Sequence, residues 1–90
     1  MKKGHYKYYI VFTGSEVGVF ERWADCAASV NAFPHNRYGG IGSLREAYEY
    51  AKESMPEIGP FYIKIRNFHE VFHTRDEFLS HLLSLIEERE

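Results

Sequence analysis

The chain has few of the residues that build covalent cross-links, and it has no long apolar segment. Cys26 is the one cysteine in 90 residues, so no disulfide can form within the chain, and we expect a reducing, cytoplasmic location. No apolar run approaches the roughly 20 residues of a membrane-spanning helix, and the opening MKKGHYK lacks the apolar stretch of a secretory signal. The net charge of −2 argues against a strongly basic nucleic-acid binder.

Apolar and aromatic residues, by contrast, are plentiful. Hydrophobic residues make up 44% of the chain, enough for one small core, and the aromatic share of 17% exceeds what that core needs. Some aromatic rings should therefore be exposed. The charge is uneven: residues 1–45 hold six Lys or Arg against three Asp or Glu, and residues 46–90 hold five against ten. We expect a single domain with a more basic first half.

The periodicity of apolar residues predicts an α+β fold with one small antiparallel sheet. Within the single domain 1–90, the order β-β-α-β-α forms a core at residues 7–53, and a β-α extension follows at 61–90. Residues 54–60 hold two of the three prolines and are predicted to be a linker. The predicted elements are strands at 6–13, 19–21, 37–41 and 61–65, and helices that begin near Trp23 and at capping boxes on Ser43 and Thr74.

The glycine-rich segment NRYGGIGS, residues 36–43, matches neither common phosphate-binding loop pattern. A turn that leads into the N-cap at Ser43 is the better interpretation, although the following helix start offers amides to an anion. Cys26 falls on the apolar face of the first helix. We expect it to be a small buried side chain rather than a nucleophile.

The run His69-Glu70-Val-Phe-His73 has the form H-E-x-x-H, which binds zinc when it lies on a helix. If the last helix begins at Thr74, both histidines precede it, and in a strand they would lie about 13 Å apart, too far to share a metal. If the helix begins at Asn67, the motif is helical. A small zinc hydrolase is therefore kept as a third hypothesis, and surface histidines are the favoured interpretation. No cofactor is predicted.

Three aromatic residues in the more basic half, Tyr9, Trp23 and Tyr38, are candidates for stacking on bases or packing on sugars. The alternative is that Trp23 simply packs the first helix onto the sheet.

The ordered spacing of residues 7–53 resembles the N-terminal hybrid-binding domain of type 1 ribonucleases H, a domain also found in caulimovirus viroplasmin proteins. The resemblance is carried by Tyr9-Ile-Val, Gly14, Gly18-Val-Phe, Trp23, Cys26, Val30-Asn, Phe33-Pro, Arg37-Tyr38, Ser43 and Glu46-Ala47. It implies a three-stranded antiparallel sheet with two helices. It also implies a non-catalytic module that binds RNA/DNA hybrids, or less well double-stranded RNA, and recruits a separate nuclease domain.

The resemblance implies a site made of Tyr9, Trp23, His35, Asn36, Arg37 and Tyr38. In the family, the aromatic positions matching Tyr9, Trp23 and Tyr38 cradle the backbone and sugars of the DNA strand. The loop matching residues 33–36 reads 2′-hydroxyl groups in the RNA minor groove through its backbone. Arg37 is predicted to contact a phosphate.

The chain departs from the family at positions that bind phosphates in the family. A basic pair commonly follows the aromatic at Tyr38, and here Gly39-Gly40 stand in its place. The first turn, residues 13–17, lacks the usual Arg and Lys, and Arg22 replaces the Ser or Thr before the tryptophan. Since phosphate contacts supply most non-specific affinity, we expect weak binding.

Lys2, Lys3 and Lys7 would restore some positive charge if the N-terminal arm lies near the groove. The alternative function is a protein-interaction module, or a homodimer formed through residues 61–90. This hypothesis rests on the acidic second half and on the apolar C-terminal helix.

Overall fold

The computed structural model describes residues 6–90, which form a five-stranded mixed sheet with helices on both faces. This confirms the predicted α+β class. In chain order the elements are β1 (Tyr8–Thr13), β2 (Val17–Phe20), α1 (Trp23–Val30), β3 (Arg37–Ile41), α2 (Leu44–Ser54), β4 (Ile58–Ile65), β5 (Phe68–Thr74) and α3 (Arg75–Arg89). None of the helices within residues 6–90 is long and apolar enough to cross a membrane.

The strands lie in the order β3-β1-β2-β4-β5. The pairs β3–β1, β1–β2 and β4–β5 are antiparallel, but β2 and β4 are parallel. The core strands thus form the predicted small antiparallel sheet, and β4 joins it through one parallel pair that the sequence did not predict. Between β2 and β4 the chain passes through α1, β3 and α2, and a crossover of this length brings a strand back beside its partner in the same direction.

The extension contains one strand more than the sequence predicted. β4 begins at Ile58 rather than Phe61, so residues 58–60 belong to the sheet. Residues 68–74 form β5, and the alternative helix start at Asn67 is therefore wrong. Thr74 is the N-cap of α3, and its hydroxyl accepts a hydrogen bond of 3.2 Å from the Glu77 amide, as the capping box predicted.

The two faces of the sheet bury two separate apolar clusters. Successive side chains of β1 alternate between them, because neighbouring residues of a strand point to opposite faces. Tyr8 and Ile10 belong to the larger cluster, which α2 and α3 cover. Tyr9 and Val11 belong to the smaller cluster under α1, where Cys26 is fully buried as expected.

The larger cluster joins the two parts of the chain. It contains Ile41, Leu44 and Ala47 from the core at residues 7–53 and Ile63, Phe78 and Leu82 from the extension at residues 61–90.

The β1–β2 turn is tied to the structure on two sides. Ser29, buried in α1, donates a hydrogen bond of 2.6 Å from its hydroxyl to the Glu16 carbonyl and accepts one of 2.9 Å from the Glu16 amide. The Glu16 carboxylate in turn accepts a hydrogen bond of 2.7 Å from the Lys64 ammonium of β4.

The parallel pair β2–β4 depends on the absence of a side chain at Gly18. Its φ is 152°, and a Cβ there would overlap the backbone of Tyr62 across the pair. Gly39 lies in β3 with no atom within 4 Å of the position of a Cβ. An added methyl group would therefore clash with backbone at position 18 but enter open space at position 39.

We expect Gly18→Ala to lower the free energy of unfolding by about 3 kcal/mol, because the methyl group forces β2 and β4 apart and strains the backbone. Gly39→Ala is the matched control and should change stability by no more than about 0.5 kcal/mol. Chemical denaturation of both variants measures the difference, and equal stabilities would contradict the close approach at Gly18.

A second expectation concerns the pair of Lys64 with Glu16. The hydrogen bond to the Glu16 carboxylate raises the pKa of Lys64 above 10.5, so the bond stabilises the fold below that pH and is lost as the pH rises through the folded pKa. Lys64→Gln should therefore reduce stability by at most about 1 kcal/mol at neutral pH.

The difference in stability between wild type and Lys64→Gln should shrink above pH 10.5, the ordinary pKa of lysine. Denaturant titrations between pH 7 and 11 measure it. Lys52→Gln is the control, because the Lys52–Glu49 pair is 3.7 Å apart and more exposed. A difference that stays constant with pH would disprove the role of the ammonium.

Candidate nucleic-acid interface

Four aromatic side chains form a continuous row on the α1 side of the sheet, and we call Tyr6, Tyr9, Trp23 and Tyr38 the aromatic row. The Tyr9 and Trp23 ring centroids lie 5.4 Å apart, and those of Trp23 and Tyr38 lie 5.9 Å apart. Tyr6 meets Tyr9 edge-on at 6.2 Å. These distances are typical of aromatic pairs in contact.

Three elements position this row. Tyr9 lies in β1 and points toward α1, while Trp23 is the first residue of α1 and packs against the smaller cluster. Tyr38 lies in β3 opposite Val11, whose side chain also faces α1. The structure thus brings together all three aromatic residues that the sequence proposed.

The three rings differ in accessibility. Tyr38 is 36% exposed and Trp23 is half-buried, so both present ring surface to solvent. Tyr9 is only 2% exposed. Tyr9 is therefore a buried member of the row that supports Trp23, and it offers no surface of its own to a ligand. This corrects the direct contact that was expected between Tyr9 and the DNA strand.

Tyr6 is a member of the row that the sequence did not identify. Its ring is 51% exposed and packs over Gly40, where a Cβ would overlap the ring. Gly40 pairs with Tyr9 across the sheet. An aromatic ring that covers a glycine on a neighbouring strand is a known way to protect exposed sheet backbone. The sequence signal for Tyr6 is therefore an aromatic residue beside a strand whose partner strand contains a glycine.

The loop between α1 and β3 is held by Asn36. Its side-chain amide donates to the carbonyl oxygens of Val30 and Phe33, at 3.0 and 3.2 Å. Ala32 and His35 have positive φ angles of 63° and 58°. His35 and Asn36 are both exposed, and the loop backbone is fixed by the Asn36 side chain.

Arg37 lies on the other side of β3 from Tyr38, as alternation in a strand requires. Its guanidinium carbon is 5.0 Å from the centroid of the Phe12 ring, and Phe12 packs against the larger cluster. Arg37, Phe12, Asn36 and Tyr38 line a shallow groove at the sheet edge. The structure therefore brings Arg37 to the margin of the site and does not place it beside Trp23.

The glycine-rich segment does not hold a free anion site at the start of α2. The Glu90 carboxylate accepts hydrogen bonds from the Leu44 amide at 2.8 Å and from the Arg45 amide at 3.2 Å. The Glu46 carboxylate accepts one of 2.8 Å from the Gly42 amide. The chain's own carboxylates thus occupy the place where a phosphate would bind.

The structure lacks the helical geometry that the zinc hypothesis requires at residues 69–73. His69 and His73 lie four residues apart on strand β5, not on a helix. Between residues 6 and 90, no three His, Cys, Asp or Glu side chains are grouped so that they could hold a metal ion.

Among residues 6–90, positive charge is sparse at the Tyr38 end of the row. Gly39 and Gly40 place no basic side chain after Tyr38, and Lys7 is exposed at the start of the described chain. Lys2 and Lys3, which were expected to add charge, lie outside the described residues.

Comparison with known protein families finds a match to part of the chain. Residues 7–51 match the family model described as the ribonuclease H1 N-terminal domain, a nucleic-acid-binding type of domain. The match covers β1 to most of α2 and excludes β4, β5 and α3. No significant match was found among curated proteins or solved structures. The matched residues make up half of the chain, and the protein belongs to the ribonuclease H1 N-terminal domain family.

Proposed function

We propose that this protein is a non-catalytic module that binds RNA/DNA hybrids or double-stranded RNA. The observation that carries the proposal is the aromatic row, in which Trp23 is supported from below by Tyr9 and flanked by the exposed ring of Tyr38. A rigid, partly exposed ring of this kind suits packing on sugars or stacking on bases.

Preference for a strand with 2′-hydroxyl groups follows from the loop beside the row. RNA is told from DNA by contacts to the 2′-hydroxyl, which both donates and accepts hydrogen bonds. The loop at residues 33–36 presents fixed backbone next to Tyr38, and Asn36 holds its shape through two hydrogen bonds. A hybrid offers one strand to the loop and the other to the aromatic row.

The affinity should be modest. Counterion release from phosphate contacts supplies most non-specific binding energy, and Gly39 and Gly40 contribute no charge. The β1–β2 turn adds no positive charge either, because its charged residue is Glu16, whose carboxylate forms a salt bridge with Lys64.

The first experiment is a fluorescence titration with a short RNA/DNA hybrid, duplex RNA and duplex DNA of one sequence at low and moderate salt. We expect the hybrid to bind most tightly and duplex DNA most weakly. No detectable binding of the hybrid at low salt would end the proposal.

Trp23→Ala should weaken hybrid binding by about 1–3 kcal/mol, the usual cost of losing a stacking ring. Tyr50→Ala is the matched control, because Tyr50 is 46% exposed on α2, away from the aromatic row. Melting curves of both variants verify the fold. If the two variants bind equally well, Trp23 is not part of the interface.

A second function, self-association, is favoured by one observation. β5 is an edge strand of the sheet, and Val71 on it is 39% exposed. Ile58 at the start of the neighbouring β4 is 83% exposed. Exposed edge strands with apolar side chains are surfaces on which another chain can add a strand.

Light scattering over a range of concentrations tests self-association. If β5 forms the contact, Val71→Lys should convert a dimer to a monomer, because a charged side chain disfavours pairing at an edge. Tyr50→Lys, on α2, is the control for added charge. A monomer at all concentrations in the wild-type protein would exclude this function.

A further inference from the structure

A second feature on the α1 side of the sheet is a groove at the carboxyl ends of β2 and β4. It is lined by Glu21, Arg22, Lys64, Ile65, Arg66 and His69, and we call it the basic groove. Arg22 comes from the start of α1, and Lys64 from the end of β4. Arg66 lies in the β4–β5 turn, and His69 lies at the start of β5.

The charges in this groove are not all neutralised. Lys64 is paired with Glu16, and the Glu21 carboxylate accepts a hydrogen bond of 2.6 Å from the Arg66 backbone amide. Neither the Arg22 nor the Arg66 guanidinium has an ion pair with any carboxylate of residues 6–90.

The side chains of Arg22 and Arg66 are also available to a ligand. Arg22 is the N-cap of α1, yet its side chain makes no capping hydrogen bond. Both residues are exposed, as is His69. The basic groove therefore holds two unpaired guanidinium groups, the side chain best suited to bidentate recognition of a phosphate.

The basic groove adjoins the aromatic row. Arg22 directly precedes Trp23, so the two features meet at the start of α1. Lys64 pairs with Phe20 across the sheet, and Phe20 belongs to the cluster under α1. His69 pairs with Lys64. All these side chains thus lie on the side of the sheet that carries the aromatic row.

The span of the combined surface fits a nucleic-acid strand. Trp23 packs on Tyr9 of β1, and three strand spacings lie between β1 and β5, which carries His69. At about 4.8 Å each they add up to roughly 14 Å. Nucleotides of one strand follow each other at about 3.4 Å along the duplex axis, so this distance corresponds to about four nucleotides.

We propose that the basic groove binds backbone phosphates of the same duplex whose sugars pack on the aromatic row. Arg22 and Arg66 thereby supply the phosphate contacts that Gly39 and Gly40 do not make. This inference rests on the proposed function. It also assigns a purpose to the extension, since Lys64, Arg66 and His69 all lie beyond the matched residues 7–51.

The test is a salt series of hybrid binding with the double variant Arg22→Gln/Arg66→Gln. Each lost phosphate contact lowers the slope of log affinity against log salt by about 0.9, so the slope should fall by about 1–2. Affinity at low salt should drop about tenfold. The loss should be similar for hybrid and duplex RNA, because phosphate contacts carry no base identity.

Two controls separate charge at the groove from other effects. Arg45→Gln removes the same charge from an exposed position at the start of α2 and should leave the salt slope unchanged. Arg22→Lys/Arg66→Lys keeps the charge and should retain most of the slope while weakening affinity, since lysine cannot make the bidentate contact.

The possible failures are distinguishable. If the wild-type protein binds the hybrid and Trp23→Ala weakens it, but the double glutamine variant keeps the wild-type slope, the basic groove is not a phosphate site and the proposed function stands. If Arg45→Gln lowers the slope equally, the effect is one of net charge and the inference fails. If the wild-type protein does not bind, both proposals fail together.

Discussion

The parallel pairing of β2 with β4 is the contact on which the rest of the structure depends. It is possible because Gly18 has no side chain where the backbone of Tyr62 approaches. This single close approach turns two short pieces of sheet into one sheet of five strands. It also covers the edge of β2 and allows one apolar cluster to extend from α2 to α3. It also brings the turn that carries Arg66 close to the start of α1, where the Glu21 carboxylate accepts a hydrogen bond from the Arg66 amide.

Local sequence patterns predicted much of this fold. Strand β1 and the caps of α2 and α3 follow from short-range chemistry, namely a run of aromatic and β-branched residues and hydroxyl side chains at helix starts. The parallel pair could not be predicted in this way, because it joins segments about 44 residues apart, as the register of Val17 with Phe61 shows. β5 was ambiguous because Phe72 is its one deeply buried side chain, which leaves little alternation to detect.

The candidate site, like the fold, could be predicted only where it depends on local sequence. Spacing in the sequence identified Trp23 and Tyr38, which the structure places in contact. It could not show that Tyr9 is buried, because alternation along β1 reveals two faces but not which helix covers each. Tyr6 was missed because its position depends on Gly40, a residue 34 places further along the chain. The basic groove likewise combines residues from distant segments.

The packing of Tyr6 on Gly40 has a consequence for how this sequence can change. A Cβ at position 40 would overlap the Tyr6 ring, so a lysine there requires that ring to move away from β3. The two positions are therefore epistatic: the effect of a substitution at one depends on the residue at the other. A basic pair grafted after Tyr38 would therefore displace the Tyr6 ring from β3. A smaller residue at position 6 would remove that conflict.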